Sequence, residues 1–187
     1  GRLGTWFGME RFGVVPDIMT VAKALTGGEL PIGGVVASKV IAETFDKTDG
    51  EDGAFHHGVT YGGHPAVMAA ALKNLEIIER EHLVENSDNM GRYLYEQAMA
   101  VLQENHPIVG YVGGGLGLLL TIEIVKNRKT KERFPGGVQG EFAKRFTEIV
   151  RGHGLAIRAG DTITLSPPLT ITRDLVDEII AILDLSF

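Results

Sequence analysis

The sequence predicts an α/β or α+β protein, and three observations carry that expectation. Short apolar runs of strand length alternate along the chain with longer segments whose apolar residues recur at helical spacing. The 25 glycines, nearly twice the usual share, fall largely between these segments, where they mark tight turns or close backbone approach. Hydrophobic residues at 44% and charged residues at 22% are ordinary for a globular chain. A length of 187 residues suffices for one good core, or for a small domain plus a piece of another.

In chain order, Gly1-Arg2-Leu3-Gly4-Thr5-Trp6-Phe7-Gly8 has neither a strand lead-in nor a helix cap, so the chain reads as starting within a domain. Pro16 introduces the apolar run Ile18-Met19-Thr20-Val21-Ala22, a short buried strand that ends at Lys23 and the turn Thr26-Gly27-Gly28. A second strand, Gly33-Gly34-Val35-Val36-Ala37, leads to Ser38, placed to cap a helix over 39–45. Both strands are of the kind a parallel sheet buries. Residues 46–58 are polar and glycine-containing, hence a loop. From Pro65 to about His82 the residues Ala66, Ala69, Ala70, Leu72, Leu75 and Ile78 follow helical spacing, with proline in the first turn. This long helix is expected to link two domains.

A helix over 89–105 precedes Pro107, and the run from Gly113 to Ile124 reads as a glycine turn followed by a strand. Residues 138–153 form a helix with Phe142, Phe146, Ile149 and Val150 on its apolar side. A strand pair, 155–158 with 162–165, is expected around Ala159-Gly160-Asp161, and Thr172 caps a final helix over 173–185.

The net charge of -6 leaves no basic excess to neutralise phosphates, which argues against nucleic-acid or anionic-membrane binding. The basic cluster from Lys126 to Arg133 has no interleaved aromatics and reads as a solvated loop. Without cysteine there are no disulfides or thiolate metal sites, which fits a reducing, cytoplasmic location. No apolar run approaches the ~20 residues of a membrane span.

Two places carry candidate chemistry. Lys23 closes an apolar strand and opens a glycine loop, where an amine is partly desolvated and becomes a usable nucleophile; a lysine at a strand end also commonly just meets solvent. The segment His57-Gly58-Val59-Thr60-Tyr61-Gly62-Gly63-His64-Pro65 puts a hydroxyl and small glycines before a helix start, an arrangement that cradles an anion or simply forms a glycine-rich cap loop. It lacks the order of a nucleotide P-loop, and Gly113 to Gly117 lack a strand-to-helix dinucleotide frame. His56, His57 and His64 match no helical zinc spacing, so no metal is expected.

The segments Gly-Arg-Leu-Gly-Thr-Trp-Phe-Gly (1–8), Pro-Asp-Ile-Met-Thr-Val-Ala-Lys-Ala-Leu-Thr-Gly-Gly (16–28), Leu-Pro-Ile-Gly-Gly-Val (30–35), His-Gly-Val-Thr-Tyr-Gly-Gly-His-Pro (57–65) and Leu-Ser-Pro-Pro-Leu-Thr-Ile-Thr (165–172) together resemble class III aminotransferases, in the family's order along the whole chain. The resemblance implies fold type I of the pyridoxal-phosphate (PLP) dependent transferases. Residues 1–75 then end the large PLP-binding domain and start the interdomain helix, and residues 76–187 form the C-terminal small domain. It implies that Lys23 carries PLP as a Schiff base and shuttles the substrate α-proton. Thr60, with Tyr61 beside it, matches the family segment that binds the cofactor phosphate of the neighbouring subunit, which implies a homodimer with shared active sites. Arg158 stands where the members resembling amine:pyruvate, taurine:pyruvate and diaminopelargonate aminotransferases carry a carboxylate-binding arginine. Those resembling 4-aminobutyrate and ornithine aminotransferases carry theirs at the place of Thr164. The implied reaction moves an amino group from an amine or ω-amino acid to a keto acid such as pyruvate.

Two departures limit the resemblance. The family's Arg-Gly-x-Gly stretch reads Gly113-Gly114-Gly115-Leu116-Gly117 here, without its arginine. The family's pyridine-pairing aspartate, ring-stacking aromatic and own-subunit phosphate loop precede the matched segments, so half a site is expected and the isolated chain is expected to be inactive. PLP aminomutases or decarboxylases with the same lysine motif, and a non-catalytic fragment or binding module, remain alternatives.

Overall fold

The computed structural model describes residues 1–47 and 55–187 and divides into two compact units, Gly13–Glu81 and Gly1–Phe12 with His82–Phe187. In the first, β1 (Ile18–Ala22) and β2 (Gly33–Ala37) pair antiparallel, with Thr20 opposite Val35. The expectation of a parallel sheet is corrected for this pair: the intervening residues 23–32 fold back as a tight 3₁₀ turn, whereas parallel neighbours need a crossover of roughly a dozen residues. Neither face of the ladder is buried, since Ile18, Val35 and Val36 are all exposed. The helix α1 (Lys39–Asp46) follows, and Ser38 occupies its N-cap position with extended backbone. Among the described residues its hydroxyl makes no capping bond and is buried without a partner, so the capping expected of it is confined to position. The helix α2 (Pro65–Arg80) starts with proline as its sequence indicates, and its buried face is centred on Ala71.

The second unit holds an antiparallel sheet of β3 (Val109–Gly113), β4 (Leu120–Ile124) and β5 (Thr162–Leu165), with β4 in the middle. Leu120, Ile122 and Ile124 alternate on one face of β4 and are essentially inaccessible, as period-two patterning requires. They form one core with residues of α3 (Leu83–Gln97), α4 (Glu141–Gly152) and α5 (Arg173–Ser186). Thr172 Oγ1 accepts the Leu175 N–H at 3.4 Å, the cap anticipated for α5. On the surface between α3 and α5 the Tyr93 hydroxyl donates to Asp177 at 2.6 Å, and this acceptor raises the phenol above its ordinary value.

Three sequence expectations are revised here. α3 begins at Leu83, directly after left-handed His82, and not near residue 89. Residues 98–103 then widen into a π-helical turn. The expected pairing of 155–158 with 162–165 is corrected: β5 pairs with β4, whose other neighbour is β3, and residues 155–158 form no strand, with Leu155 N–H closing α4 on Val150 O. Residues 126–133 are exposed as expected, except that the Arg128 guanidinium turns inward onto the carbonyls of Gln103, His106 and Val109 at 2.6–2.9 Å.

Several glycines are explained by one backbone crossing. The N-terminal strap runs over α3, with Arg2 O accepting from Leu118 N–H at 2.9 Å and from the Ser87 hydroxyl at 3.1 Å. A Cβ at Gly91 would overlap the Gly117 carbonyl, and one at Gly117 would overlap the Arg2–Gly4 backbone. Arg2 reaches the carbonyls of Leu118 and Pro167, and burial lowers its guanidinium from the ordinary value. Arg11 pairs with Asp88 of α3 and closes the strap.

Candidate active site

Lys23 stands at the junction of β1 and the 3₁₀ turn Lys23–Thr26, with φ of 50°. A side chain with a Cβ in the left-handed region costs about 1–2 kcal/mol, and such a residue persists where its surroundings over-determine it. They do so here. Lys23 O accepts from Gly28 N–H at 2.9 Å, Ala24 O accepts from Gly27 N–H at 3.2 Å, and buried Thr26 exchanges hydrogen bonds with Leu30. From α2, Asn74 Nδ2 donates to the carbonyls of Ala24 and Leu25 at 2.8 and 3.1 Å.

Asn74 is the residue that sequence reasoning missed. The available signal was an asparagine inside a helix, where its side chain competes for backbone groups and is tolerated when it serves another segment. Asn74→Ala is expected to leave two carbonyls without that donor, cost about 1–2 kcal/mol of local stability, and speed amide hydrogen exchange over residues 24–28. Unchanged exchange there would show that α2 does not hold the turn.

The Lys23 side chain is exposed: the two-stranded ladder behind it has open faces, and no described residue covers the strand end. Among the described residues its ammonium has no ion-pair or hydrogen-bond partner.

Thr60 and Tyr61 are the central residues of a turn in which Gly62 N–H donates to Val59 O at 2.8 Å, followed by left-handed Gly63. Both are exposed, Tyr61 by 79%, and the Tyr61 ring lies 6.2 Å from that of His64. Among the described residues no side chain caps α2, so its first-turn N–H groups keep their hydrogen-bonding capacity, a few residues after Thr60 in the chain. A groove of about 770 Å³ is lined by Leu30, Pro31, Ile32, Tyr61, His64 and Met68. No hydrogen bond or ring contact among the described residues joins Lys23 to Thr60 or Tyr61; the resemblance assigns these two to the sites of different subunits.

Arg158 lies in the other unit, between buried Ile157 and buried Ala159, with its own side chain exposed. Asp161 is taken by Arg133 at 3.1 Å, and among the described residues Arg158 has no partner. Of the histidines noted in the sequence, none belongs to a group of three His, Cys, Asp or Glu side chains able to hold a metal, among the described residues.

An amine on a strained turn after a strand, a hydroxyl at the mouth of a helix and an unpartnered guanidinium are the donor types that an aldehyde, a phosphate and a carboxylate require. The family model for class III aminotransferases matches residues 1–186, and the chain belongs to that family; its fold is the mixed α/β fold type I of PLP-dependent transaminases. The chain is 39% identical over 184 residues to a putrescine–pyruvate aminotransferase of Pseudomonas aeruginosa, covering 97% of this chain and 38% of that protein. It is 38% identical over 184 residues to a diaminobutyrate–2-oxoglutarate transaminase of Halomonas elongata, with the same coverage. Among solved structures it resembles an (S)-enantioselective omega-transaminase from Thermomicrobium roseum, with a TM-score of 0.88 and 41% identity over 100% of this chain and 40% of that one. It also resembles an amine transaminase from an uncultivated Pseudomonas species in its PLP-bound form, with a TM-score of 0.92 and 35% identity over 100% of this chain and 41% of that one. The chain thus spans about two fifths of the length of these relatives. Among the described residues no helix is long and apolar enough to cross a membrane.

Proposed function

We propose that this chain forms the C-terminal part of a PLP-dependent aminotransferase that moves an amino group from an amine or ω-amino acid to a keto acid such as pyruvate. The observation that carries this reading is Lys23, whose amine has no partner among the described residues and whose backbone is fixed on an over-determined left-handed turn. Bound there, PLP supplies the electron sink that makes removal of a substrate proton feasible. Lys23 Nζ would hold the cofactor covalently and would act as the base that takes up and returns the substrate α-proton. Thr60, with Tyr61 beside it, donates to the phosphate at the start of α2, in the site of the neighbouring subunit of a homodimer. Arg158 reads the substrate carboxylate through a two-pronged, charge-assisted contact. In this reading residues 1–75 end the large domain and residues 76–187 form the small domain. The enzyme is placed in the cytoplasm, consistent with a chain that has no cysteine.

The naming of two relatives for pyruvate and 2-oxoglutarate as acceptors supports the keto-acid half of the reaction. The experiment is to supply the parent enzyme with PLP, an amine donor such as putrescine, and pyruvate, and to measure alanine. Steady alanine formation supports the proposal, and its absence with every amine tried overturns it. The 187-residue chain alone is expected to form no alanine above a cofactor-only control, because about three fifths of the fold in its relatives lies outside it. Turnover by the isolated chain would overturn the half-site reading.

A further inference from the structure

The backbone that carries Arg158 is braced on every residue that follows it. Ala159 N–H donates to Thr147 Oγ1 of α4 at 3.4 Å. The Asp161 carbonyl accepts from Ile124 N–H at 2.9 Å, and its carboxylate pairs with Arg133. Between them Gly160 is buried, and a Cβ built on it would lie 2.8 Å from Val138 Cγ2 and 3.6 Å from Val138 Cα. The φ of Gly160 is not in the left-handed region, so glycine is needed here for space and not for conformation.

Val138 is held in place through its backbone, although the residue is 44% exposed. It belongs to the 3₁₀ turn Gly137–Gln139, which is entered through left-handed Gly136 and Gly137. That turn is closed by Gln139 N–H to Gly136 O and Gly140 N–H to Gly137 O, both at 3.0 Å. A Cβ at Gly140 would overlap the Pro135 carbonyl, so the loop is also packed against itself. Being β-branched, valine has a stiff χ1, so moving the Cγ2 methyl off Gly160 requires a change of rotamer.

We propose that Val138 is a positioning residue for substrate recognition: its Cγ2 methyl, seated on Gly160, sets the position of the Arg158 backbone and hence where the guanidinium meets a substrate carboxylate. The inference rests on the reading of Arg158 given under Proposed function. Residues 135–140 are then a specificity element for carboxylate-bearing substrates, while amines without a carboxylate do not sense it.

The test uses the parent enzyme and the amine-donor half-reaction, with β-alanine as the carboxylate-bearing donor and benzylamine as the donor without one. Gly160→Ala is expected to raise KM for β-alanine roughly tenfold, the size of a moderate overpacking displacement, with kcat at saturation little changed. KM for benzylamine stays within about twofold. Adding Val138→Ala to Gly160→Ala removes the clashing methyl and is expected to restore most of the β-alanine KM. Amide exchange over residues 155–161 is expected to rise in the single variant and fall back in the double, a readout independent of turnover. Should Gly160→Ala not fold, Val138→Ala alone is expected to raise the β-alanine KM about threefold without affecting benzylamine.

Equal effects on both donors, or no recovery in the double variant, overturn the inference. Arg158→Ala separates the two levels of the claim. If that variant discriminates between the donors and the Val138 and Gly160 variants do not, only the positioning role fails. If Arg158→Ala does not discriminate either, the carboxylate reading fails and the positioning role falls with it.

Discussion

Lys23→Ala in the parent enzyme is expected to lower transamination by at least about ten-thousandfold, because in the proposed mechanism the amine combines covalent anchoring with proton transfer and no neighbour can take over either task. The other described lysines of its unit are unsuitable. Lys73 is paired with Glu76 at 2.7 Å on α2, and Lys39 and Lys47 share Glu43 on α1 at 3.3 and 3.6 Å. The substitution also leaves the backbone cost unchanged. Alanine keeps a Cβ, so the φ of 50° carries the same penalty, and the turn retains its hydrogen bonds to Gly28 and Asn74. A loss of activity in Lys23→Ala is therefore a loss of chemistry. Two readouts bear on it: alanine formation with pyruvate as acceptor, and borohydride trapping of PLP followed by peptide mapping. The unmodified protein is expected to carry the trapped group on the peptide containing Lys23, and the variant to carry none while still retaining PLP through its phosphate. More than a small fraction of normal turnover in Lys23→Ala would remove the lysine from the mechanism.

How far the site could be read from sequence depended on whether a feature was local. β1, β2, α1, α2, β4, β5 and α5 follow from runs, spacing and punctuation that act within a few residues, and the structure holds them close to where those signals put them. The first turns of α3 were hidden because Asn86, Ser87 and Asp88 are poor helix residues by propensity. In the fold each spends its polar group on a distant partner: Asn86 on the carbonyls of Leu169 and Ile171, Ser87 on Arg2 and Asp88 on Arg11. Tertiary contacts therefore outweigh the local preference. β3 was hidden by Gly110 and Gly113, which weaken any strand signal. Gly110 is required at the irregular step between Val109 and Tyr111, since a Cβ there would come within 2.7 Å of Glu123 and 2.8 Å of Val125. For the candidate site, Lys23, Thr60 and Arg158 could be nominated from residue type, position and family resemblance. Asn74, a polar residue inside a helix, gave a signal without a partner, and Val138 gave none, because the carbonyls and the glycine they meet lie about 50 and 22 residues away in sequence.

Arg158→Ala is expected to separate substrates by whether they carry a carboxylate, and the size of the separation reports the environment in which the guanidinium works. In the described chain Arg158 is exposed and has no partner, Asp161 being held by Arg133. An arginine–carboxylate pair formed in such solvent contact is worth at most about 1 kcal/mol, which would appear as a loss of roughly fivefold or less. A pair formed with water excluded by the rest of the enzyme and by the substrate loses about 2–4 kcal/mol when one partner is removed, or about thirty- to a thousandfold. The larger figure is expected, since about three fifths of the relatives' length lies outside this chain and the proposed site needs that remainder to close it. The measurement is kcat/KM for pyruvate and β-alanine set against benzylamine, in the unmodified enzyme, Arg158→Ala and Arg158→Lys. Lysine keeps the charge and loses the two-pronged geometry, so Arg158→Lys is expected to fall between the other two for carboxylate substrates and to match them for benzylamine. A loss of fivefold or less confined to carboxylate substrates would mean that Arg158 meets its substrate in water. Equal losses for all three substrates would mean that it does not read the carboxylate.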